Sequence, residues 1–167
     1  SFSKQLTDWF ANKKIMNDIK KTAKLLSQKN DLYILGREQL LASALEFALK
    51  IKEVSYLHAE GFSAGELKHG VIALIEKETP VICLLNKTNR ENMLSSAHEV
   101  KARGAKIIGI ATKNEEIFDF FIKLPQAEKF VNLSSIIVAQ LLTYEIALLK
   151  KLDPDKPRNL AKSVTVK

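Results

Sequence analysis

The chain contains a single cysteine, Cys83, among its 167 residues. One thiol cannot form a disulfide within the chain, and C-x-x-C metal spacings are absent with it. Cys83 lies in the apolar run PVICLLN, where we expect it to act as a small buried hydrophobe. This use of cysteine is typical of proteins in a reducing compartment, so we expect a cytoplasmic protein.

Long apolar runs are also absent. No uninterrupted stretch approaches the roughly 18 residues that a membrane-spanning helix needs. The N-terminus lacks the basic and then apolar layout of a signal peptide. The sequence therefore predicts no membrane partner.

Three ligand-binding patterns are missing: G-x-x-x-x-G-K-[ST], G-x-G-x-x-G and H-E-x-x-H. The first two hold nucleotide phosphates and the third holds zinc. A metal bound by His58, Glu60 and His69 stays open as the less favoured alternative, and the sequence predicts neither a metal nor a cofactor.

The net charge of +7 comes from 26 Lys and Arg residues against 19 Asp and Glu residues. The lysines are spread along the whole chain, without an Arg-rich block or interleaved aromatic residues, so we expect no nucleic-acid partner. Most of these lysines fit solvated helix faces, and a phosphate-bearing small molecule is the other interpretation of the charge.

The apolar residues, 46% of the chain, are sufficient for the core of one domain. Their periodicity predicts helical segments at 3–28, 39–56, 90–104 and 133–152, buried strands at 31–36, 80–86, 105–112 and 118–125, and a polar tail at 153–167. Strands that alternate with helices and are apolar throughout predict an α/β fold, a parallel sheet with helices on both faces.

Two helices carry further expectations. In the helix at 39–56, the spacing predicts one buried face, formed by Leu41, Ala44, Leu45, Ala48 and Leu49. The helix at 133–152 is apolar most of the way round, so it must be buried on more than one side. We therefore expect it to contact a partner domain or another copy of the chain.

Glu46, Lys50 and Glu53 follow one another at i, i+4 and i+7, so they share a polar face of the helix at 39–56. One interpretation is a surface ion pair, which contributes little to stability. The other is a carboxylate that acts as a general base and is positioned by a neighbouring ammonium group.

The stretch SYLHAEGFSAGELKHG, residues 55–70, places ionisable side chains among small residues. It is predicted to be a loop with glycine hinges, in which His58 and Glu60 have structural roles. Glu66 and His69 are i, i+3 in a helical turn, and His69 is either structural or catalytic, since histidine titrates near neutral pH. The turn LGREQLLAS, the usual anion site of such a sheet, offers few hydroxyl groups, and its nearest is Ser43.

Two segments carry a family resemblance. ALEFALKIKEVSYLHAEGFSAGELKHG (44–70) and DKPRNLAKSVTVK (155–167) resemble the isomerase half of the glucosamine-6-phosphate synthases, or glutamine–fructose-6-phosphate aminotransferases. The match is to the second of two sugar isomerase (SIS) modules, which form doubly wound, flavodoxin-like sheets. It implies a helical connection from a preceding module at 1–30, an SIS domain at 31–152, and a tail at 153–167 that contributes to the active site.

The resemblance also implies roles for individual residues. Glu53 would move a proton between C1 and C2 of the sugar, with Lys50 in the same site and Glu46 in support. His69 would open the sugar ring from the neighbouring subunit of a dimer. Lys162 would form an imine with the open-chain ketose.

The implied reaction converts fructose 6-phosphate and glutamine-derived ammonia to glucosamine 6-phosphate, for amino-sugar and UDP-GlcNAc biosynthesis. A glutaminase domain and a first SIS module with a phosphate-binding loop are missing from this sequence. We therefore expect both as partners in a longer polypeptide, together with a second subunit, and we expect the isolated piece to be inactive.

Two departures from the family pattern lie inside the first motif. Val71 stands where the family usually has proline, and Phe47, where a small residue is common, is expected to affect packing against the missing module. The alternatives to an enzyme are a sugar-phosphate-sensing regulatory module without turnover and a purely structural dimerisation module.

Overall fold

The computed structural model describes residues 1–160. The helices are α1 (Phe2–Phe10), α2 (Lys13–Leu26), α3 (Gln39–Ser55), α4 (Arg90–Lys101) and α5 (Val131–Leu149). The strands are β1 (Asp31–Gly36), β2 (His58–Ser63), β3 (Pro80–Leu84), β4 (Lys106–Ala111) and β5 (Phe120–Lys123). Short 3₁₀ turns lie at Ala64–His69, Val71–Leu74 and Glu128–Phe130.

The five strands form one parallel sheet in the order β2-β1-β3-β4-β5. This is the strand order of flavodoxin-like, doubly wound sheets. The predicted α/β class, with a parallel sheet between helices, is therefore confirmed.

Alternate side chains of the central strands point into two separate cores. Helices α2, α3 and α5 cover one face of the sheet, where Ile34, Ile82 and Ile108 lie. Helix α4 and the two 3₁₀ turns after β2 cover the other face, around Cys83 and Ile107. Cys83 is fully buried, as predicted.

Strand β2 was not predicted, because the stretch 55–70 was expected to be a loop. It pairs with β1 along its whole length, from Asp31 opposite His58 to Gly36 opposite Ser63. As an edge strand it buries only Ala59, so it lacks the apolar run that marks the other strands. Gly61 is no hinge: a Cβ added there would lie 2.5 Å from the Ala44 carbonyl oxygen.

The predicted buried face of α3 is wrong at two of its positions, and at a third, Leu41, the side chain is only partly buried. Leu45 and Leu49 are 52% and 42% exposed, whereas Phe47 and Ile51 are fully buried beside the predicted Ala44 and Ala48. Both sides of this helix are apolar, so periodicity cannot choose between them. Phe47 therefore packs in the core of this chain and not against another module, contrary to expectation.

Helix α5 is apolar around most of its circumference, as predicted. One side packs against α2 and α3, and Leu133, Tyr144, Leu148 and Leu149 are about half exposed on the other. The segment Glu128–Leu149 is long and apolar enough to cross a membrane by length and composition alone, although half of it is buried inside the protein. Such burial is typical of a core helix in an α/β domain.

Candidate functional site

Glu46, Lys50 and Glu53 project from the outer side of the last turns of α3. The Lys50 Nζ lies 2.6 Å from Glu53 Oε2 and 3.5 Å from Glu46 Oε1. The three side chains are only 27–39% exposed, so the cluster is half-buried. The structure thus brings together the three helix residues that the sequence selected.

The hydrogen bond from Lys50 to Glu53 is the main reason why the pKa of Lys50 is raised above its ordinary value, and partial burial acts in the opposite direction. Lys50 is therefore an ammonium group at neutral pH. A cation held between two carboxylates orients both of them, which is what a base with a fixed direction of attack requires.

Glu53 opens into a groove of about 450 Å³. The end of α3 and the start of β2 form one wall, through Lys52, Glu53, Tyr56, Leu57 and His58, and the tail forms the other, through Arg158, Asn159 and Leu160. His58, for which the sequence predicts a structural role, lines the groove.

Tyr56 joins the two walls of this groove. Its phenol oxygen accepts a hydrogen bond from the Arg158 backbone N–H at 2.7 Å, and the Arg158 guanidinium carbon lies 4.2 Å from the centre of its ring. Sequence reasoning missed both residues. The only signals are their places in the two family-like segments, 102 positions apart.

A second cavity of about 400 Å³ adjoins the cluster on the α5 side. Lys50 and Val54 line it together with Ile137, Leu141 and Tyr144 of α5. The wall is mostly apolar, and the buried hydroxyl group of Thr143 has no hydrogen-bond partner among residues 1–160. Lys50 thus stands between an apolar cavity and the groove that contains Glu53.

His69 lies far from this cluster within the chain. It ends the 3₁₀ turn after β2, is 72% exposed, and places Nδ1 3.3 Å from Glu66 Oε2. That turn packs on the α4 face of the sheet, whereas Glu53 belongs to a helix on the other face. Glu53 precedes β2 and His69 follows it, and the six residues of this strand separate its two ends by about 17–20 Å.

Two further expectations concern Lys162 and Ser43. Lys162 lies outside the described residues. Ser43, the nearest hydroxyl group to the turn after β1, is 2% exposed and has no hydrogen-bond partner in the part of the chain that the structure describes. It therefore does not present its oxygen to a ligand at that turn.

A polar cavity of about 510 Å³ lies at the carboxyl ends of β3 and β4. Lys87, Arg90, Lys113 and Glu115 line it. The Arg90 guanidinium group donates to both carboxylate oxygens of Glu115 at 2.7 Å. The two groups thus form a bidentate ion pair, and the N–H groups that face Glu115 are occupied.

The comparisons with known proteins agree with the fold and with the resemblance of the two segments. The profile of the SIS domain matches residues 25–150. A glutamine–fructose-6-phosphate aminotransferase [isomerizing] of Pyrococcus horikoshii is 48% identical over 158 residues, which are 92% of this chain and 26% of the relative. The corresponding protein of Thermococcus kodakarensis is 44% identical over 153 residues, which are 89% of this chain and 25% of the relative.

Among solved structures, the C-terminal domain of glucosamine-fructose-6-phosphate aminotransferase from Francisella tularensis superimposes with a TM-score of 0.77 at 32% identity. The match covers 86% of this chain and 42% of that one. A glucosamine-6-phosphate deaminase from Thermotoga maritima gives a TM-score of 0.70 at 27% identity, over 90% of this chain and 46% of the other. The chain thus spans about a quarter of the length of the curated relatives that it matches.

Proposed function

The chain belongs to the SIS domain family, and we propose that it is the second SIS module of a polypeptide that makes glucosamine 6-phosphate from fructose 6-phosphate and glutamine-derived ammonia. The observation that carries this proposal is the Glu53–Lys50 pair, half-buried at the mouth of a groove that the tail closes on one side. The names and the identity of the relatives support the same reaction.

In the proposed reaction, Glu53 takes a proton from C1 of the open-chain sugar and returns it to C2. One carboxylate can serve both carbons, because they are adjacent and the proton stays on the same face of the sugar. Lys50 keeps this carboxylate oriented through its 2.6 Å contact, and Glu46 holds Lys50 from the other side.

His69 is proposed to open the sugar ring in the site of a neighbouring subunit. Within its own chain it lies on the other face of the sheet and past the opposite end of β2. A residue so placed can meet Glu53 when two copies are arranged around a symmetry axis, because each then supplies what the other lacks.

Lys162 is proposed to form an imine with the ketose. The described tail reaches Leu160, which lines the Glu53 groove, and Lys162 is two positions further along the sequence. The Lys162 amine would add to C2 and expel the carbonyl oxygen as water, and the protonated imine makes C2 more electrophilic toward the incoming ammonia. Ammonia would then displace the lysine amine from C2, which returns Lys162 to its free form.

The proposal needs two further domains of the same polypeptide. One would supply a hydroxyl-rich loop for the sugar phosphate, since Ser43 is buried, and the other would release ammonia from glutamine. We expect the isolated 167 residues to lack activity and to show no binding of fructose 6-phosphate in calorimetry. We place the whole polypeptide in the cytoplasm. The single cysteine of this chain, which is buried as a free thiol, is consistent with that compartment.

The test is to replace Glu53 by Gln in the complete polypeptide and to follow glucosamine 6-phosphate formation. We expect product to disappear while fructose 6-phosphate still binds, because the amide keeps the shape of the carboxylate but cannot take up the proton. Glu116→Gln, an equal change at an exposed loop position, should leave turnover as it is. Normal turnover in Glu53→Gln would refute the assignment, and a wild-type polypeptide that binds sugar phosphate without turnover would favour the regulatory alternative.

A further inference from the structure

The backbone of Tyr56 adopts a conformation that bulky residues avoid. It caps the C-terminus of α3 with φ 57° and ψ 23°, in the left-handed region. Glycine usually occupies this place, and asparagine is the common substitute, because a Cβ crowds the neighbouring carbonyl oxygen there. A tyrosine in this position needs a reason outside the helix cap itself.

The side chain of Tyr56 supplies that reason, because it holds Arg158 in two ways. The phenol oxygen accepts the Arg158 N–H, and the ring faces the guanidinium group. Within residues 1–160, the first contact is the only hydrogen bond that ties the stretch 153–160 to the rest of the protein. The remaining hydrogen bonds of this stretch, such as that from the Asp155 N–H to Asp153 Oδ1, are internal to it.

The tail is held at this point against an opposing force. Lys150, at the end of α5, has its pKa lowered by burial and by the positive charge of Arg158. The two cations repel each other, and no salt bridge joins either of them to a carboxylate within the described residues. This repulsion favours moving Arg158 away from the end of α5, and the two contacts with Tyr56 act against it.

We propose that Tyr56 is a positioning residue that fixes the C-terminal tail beside Glu53. Glu53 and Tyr56 lie three positions apart at the end of one helix, so the group proposed as the base and the anchor of the tail move as one unit. The inference rests on the proposed function, since the position of the tail matters for turnover only if the groove is the reacting site.

The contact itself can be measured on the full 167-residue chain, without any substrate. In Tyr56→Phe the ring remains and the hydrogen-bond acceptor is lost, so hydrogen exchange of the Arg158 amide should become about 10-fold faster. Arg158→Gln keeps the backbone N–H but removes the cation, and exchange at position 158 should rise by about 2- to 5-fold. Lys156→Gln removes the same charge two residues away, and it should leave the exchange rate of the Arg158 amide unchanged.

The positioning role is tested in the complete polypeptide by the kinetics of glucosamine 6-phosphate formation. We expect Tyr56→Phe to lower kcat several-fold with little change in KM or in the unfolding midpoint, because the sugar phosphate is proposed to bind to another module and neither core contains a residue of 153–160. An exchange rate of the Arg158 amide that is equal in wild type and Tyr56→Phe would overturn the proposal. A looser tail with an unchanged kcat would also overturn it.

These outcomes separate the inference from the function on which it rests. A wild-type polypeptide that forms no glucosamine 6-phosphate would refute the proposed function, and the positioning role would fall with it. An active wild type in which Tyr56→Phe behaves normally would refute the positioning role alone.

Discussion

At the scale of single residues, similar groups have different chemistry because their surroundings differ. Lys50 is a fixed ammonium group between two carboxylates, whereas Lys150 faces another cation and its pKa is lowered, first by burial. Glu53 lines a groove, and Glu46, two helical turns away from it, contacts Lys50 instead. Which of several charged residues can do chemistry is therefore decided by the partners of each and not by its type.

Cys83 should be inert in the folded protein. Burial raises the pKa of its thiol to about 12, so at pH 8 fewer than about one thiol in a thousand is ionised. We expect no reaction with a thiol reagent such as dithionitrobenzoate at pH 8 in the native state, and one equivalent per chain in guanidinium chloride. Rapid labelling of the native protein would show that β3 is more accessible than the structure indicates.

Asp119 makes a different, pH-dependent contribution. Burial alone would raise its pKa, but Lys101, the Ile107 backbone amide and Lys106 outweigh burial and lower the pKa below the ordinary 3.8. A carboxylate with a lowered folded pKa stabilises the native state fully above its unfolded pKa, and this stabilisation is lost as the pH falls through the folded value.

Asp119→Asn should therefore destabilise the chain by about 1–2 kcal/mol at pH 7, and by much less at a pH well below the ordinary 3.8. Urea unfolding, followed by the fluorescence of the buried Trp9, measures both differences. An equal difference at the two pH values would mean that the charge of Asp119 contributes nothing.

At the scale of secondary-structure elements, the close packing of α3 against β2 depends on a glycine, Gly61, at the point of contact. Gly61 lies against the backbone of Ala44, and a Cβ added to Gly61 would lie only 2.5 Å from the Ala44 carbonyl oxygen. Gly61→Ala should cost about 1–3 kcal/mol of unfolding free energy, because backbone on both sides would have to move. Urea unfolding of the variant measures the cost.

Gly65→Ala is the matched control for Gly61→Ala. The nearest atoms to a Cβ at position 65 are 3.7 Å and 3.9 Å away, in side chains. This change should be neutral or should stabilise the protein by up to about 1 kcal/mol, through the unfolded chain. If both variants lose the same stability, the close approach of α3 and β2 is not what Gly61 provides.

The elements also show what a sequence can and cannot reveal. Strands β1, β3 and β4 are apolar at almost every position because helices cover both faces of the sheet, and this made them predictable. Edge strand β2 buries one residue out of six, so its sequence does not differ from that of a loop. The exposed Leu45 and Leu49 account for the wrong prediction for α3, because exposed apolar residues at helical spacing give the same pattern as a buried face.

The candidate site also has a part that the sequence predicts and a part that it does not. Glu46, Lys50 and Glu53 were predictable as a cluster, since helical spacing alone places them on one face. The contact between Tyr56 and Arg158 was not, because it joins positions 102 residues apart and depends on a left-handed residue at the end of α3. Local periodicity carries no information about either feature.

At the scale of the whole molecule, two features bear on a second subunit: an exposed apolar surface and the separation of His69 from Glu53. Leu45 and Leu49 of α3 and Tyr144 and Leu148 of α5 are exposed on the helical layer that contains Lys50 and Glu53. His69 faces solvent at the other end of the sheet. The proposed arrangement, a site assembled from two subunits, would account for both observations, since the residues proposed as catalytic lie where each chain could contribute to its neighbour.

Mixed dimers of the complete polypeptide test this arrangement. Glu53→Gln and His69→Asn should each be inactive as homodimers. In a heterodimer of the two variants, one site would contain both substitutions and the other would contain the intact Glu53 of one chain and the intact His69 of its neighbour. Random exchange of subunits in equal amounts should then restore about a quarter of wild-type glucosamine 6-phosphate formation, because half of the dimers are mixed and each has one working site. Mixing Glu53→Gln with Lys50→Met, whose changes fall on the same helix, should restore none. No recovery in the first mixture, despite demonstrated subunit exchange, would place His69 and Glu53 in the same chain's site and exclude the shared arrangement.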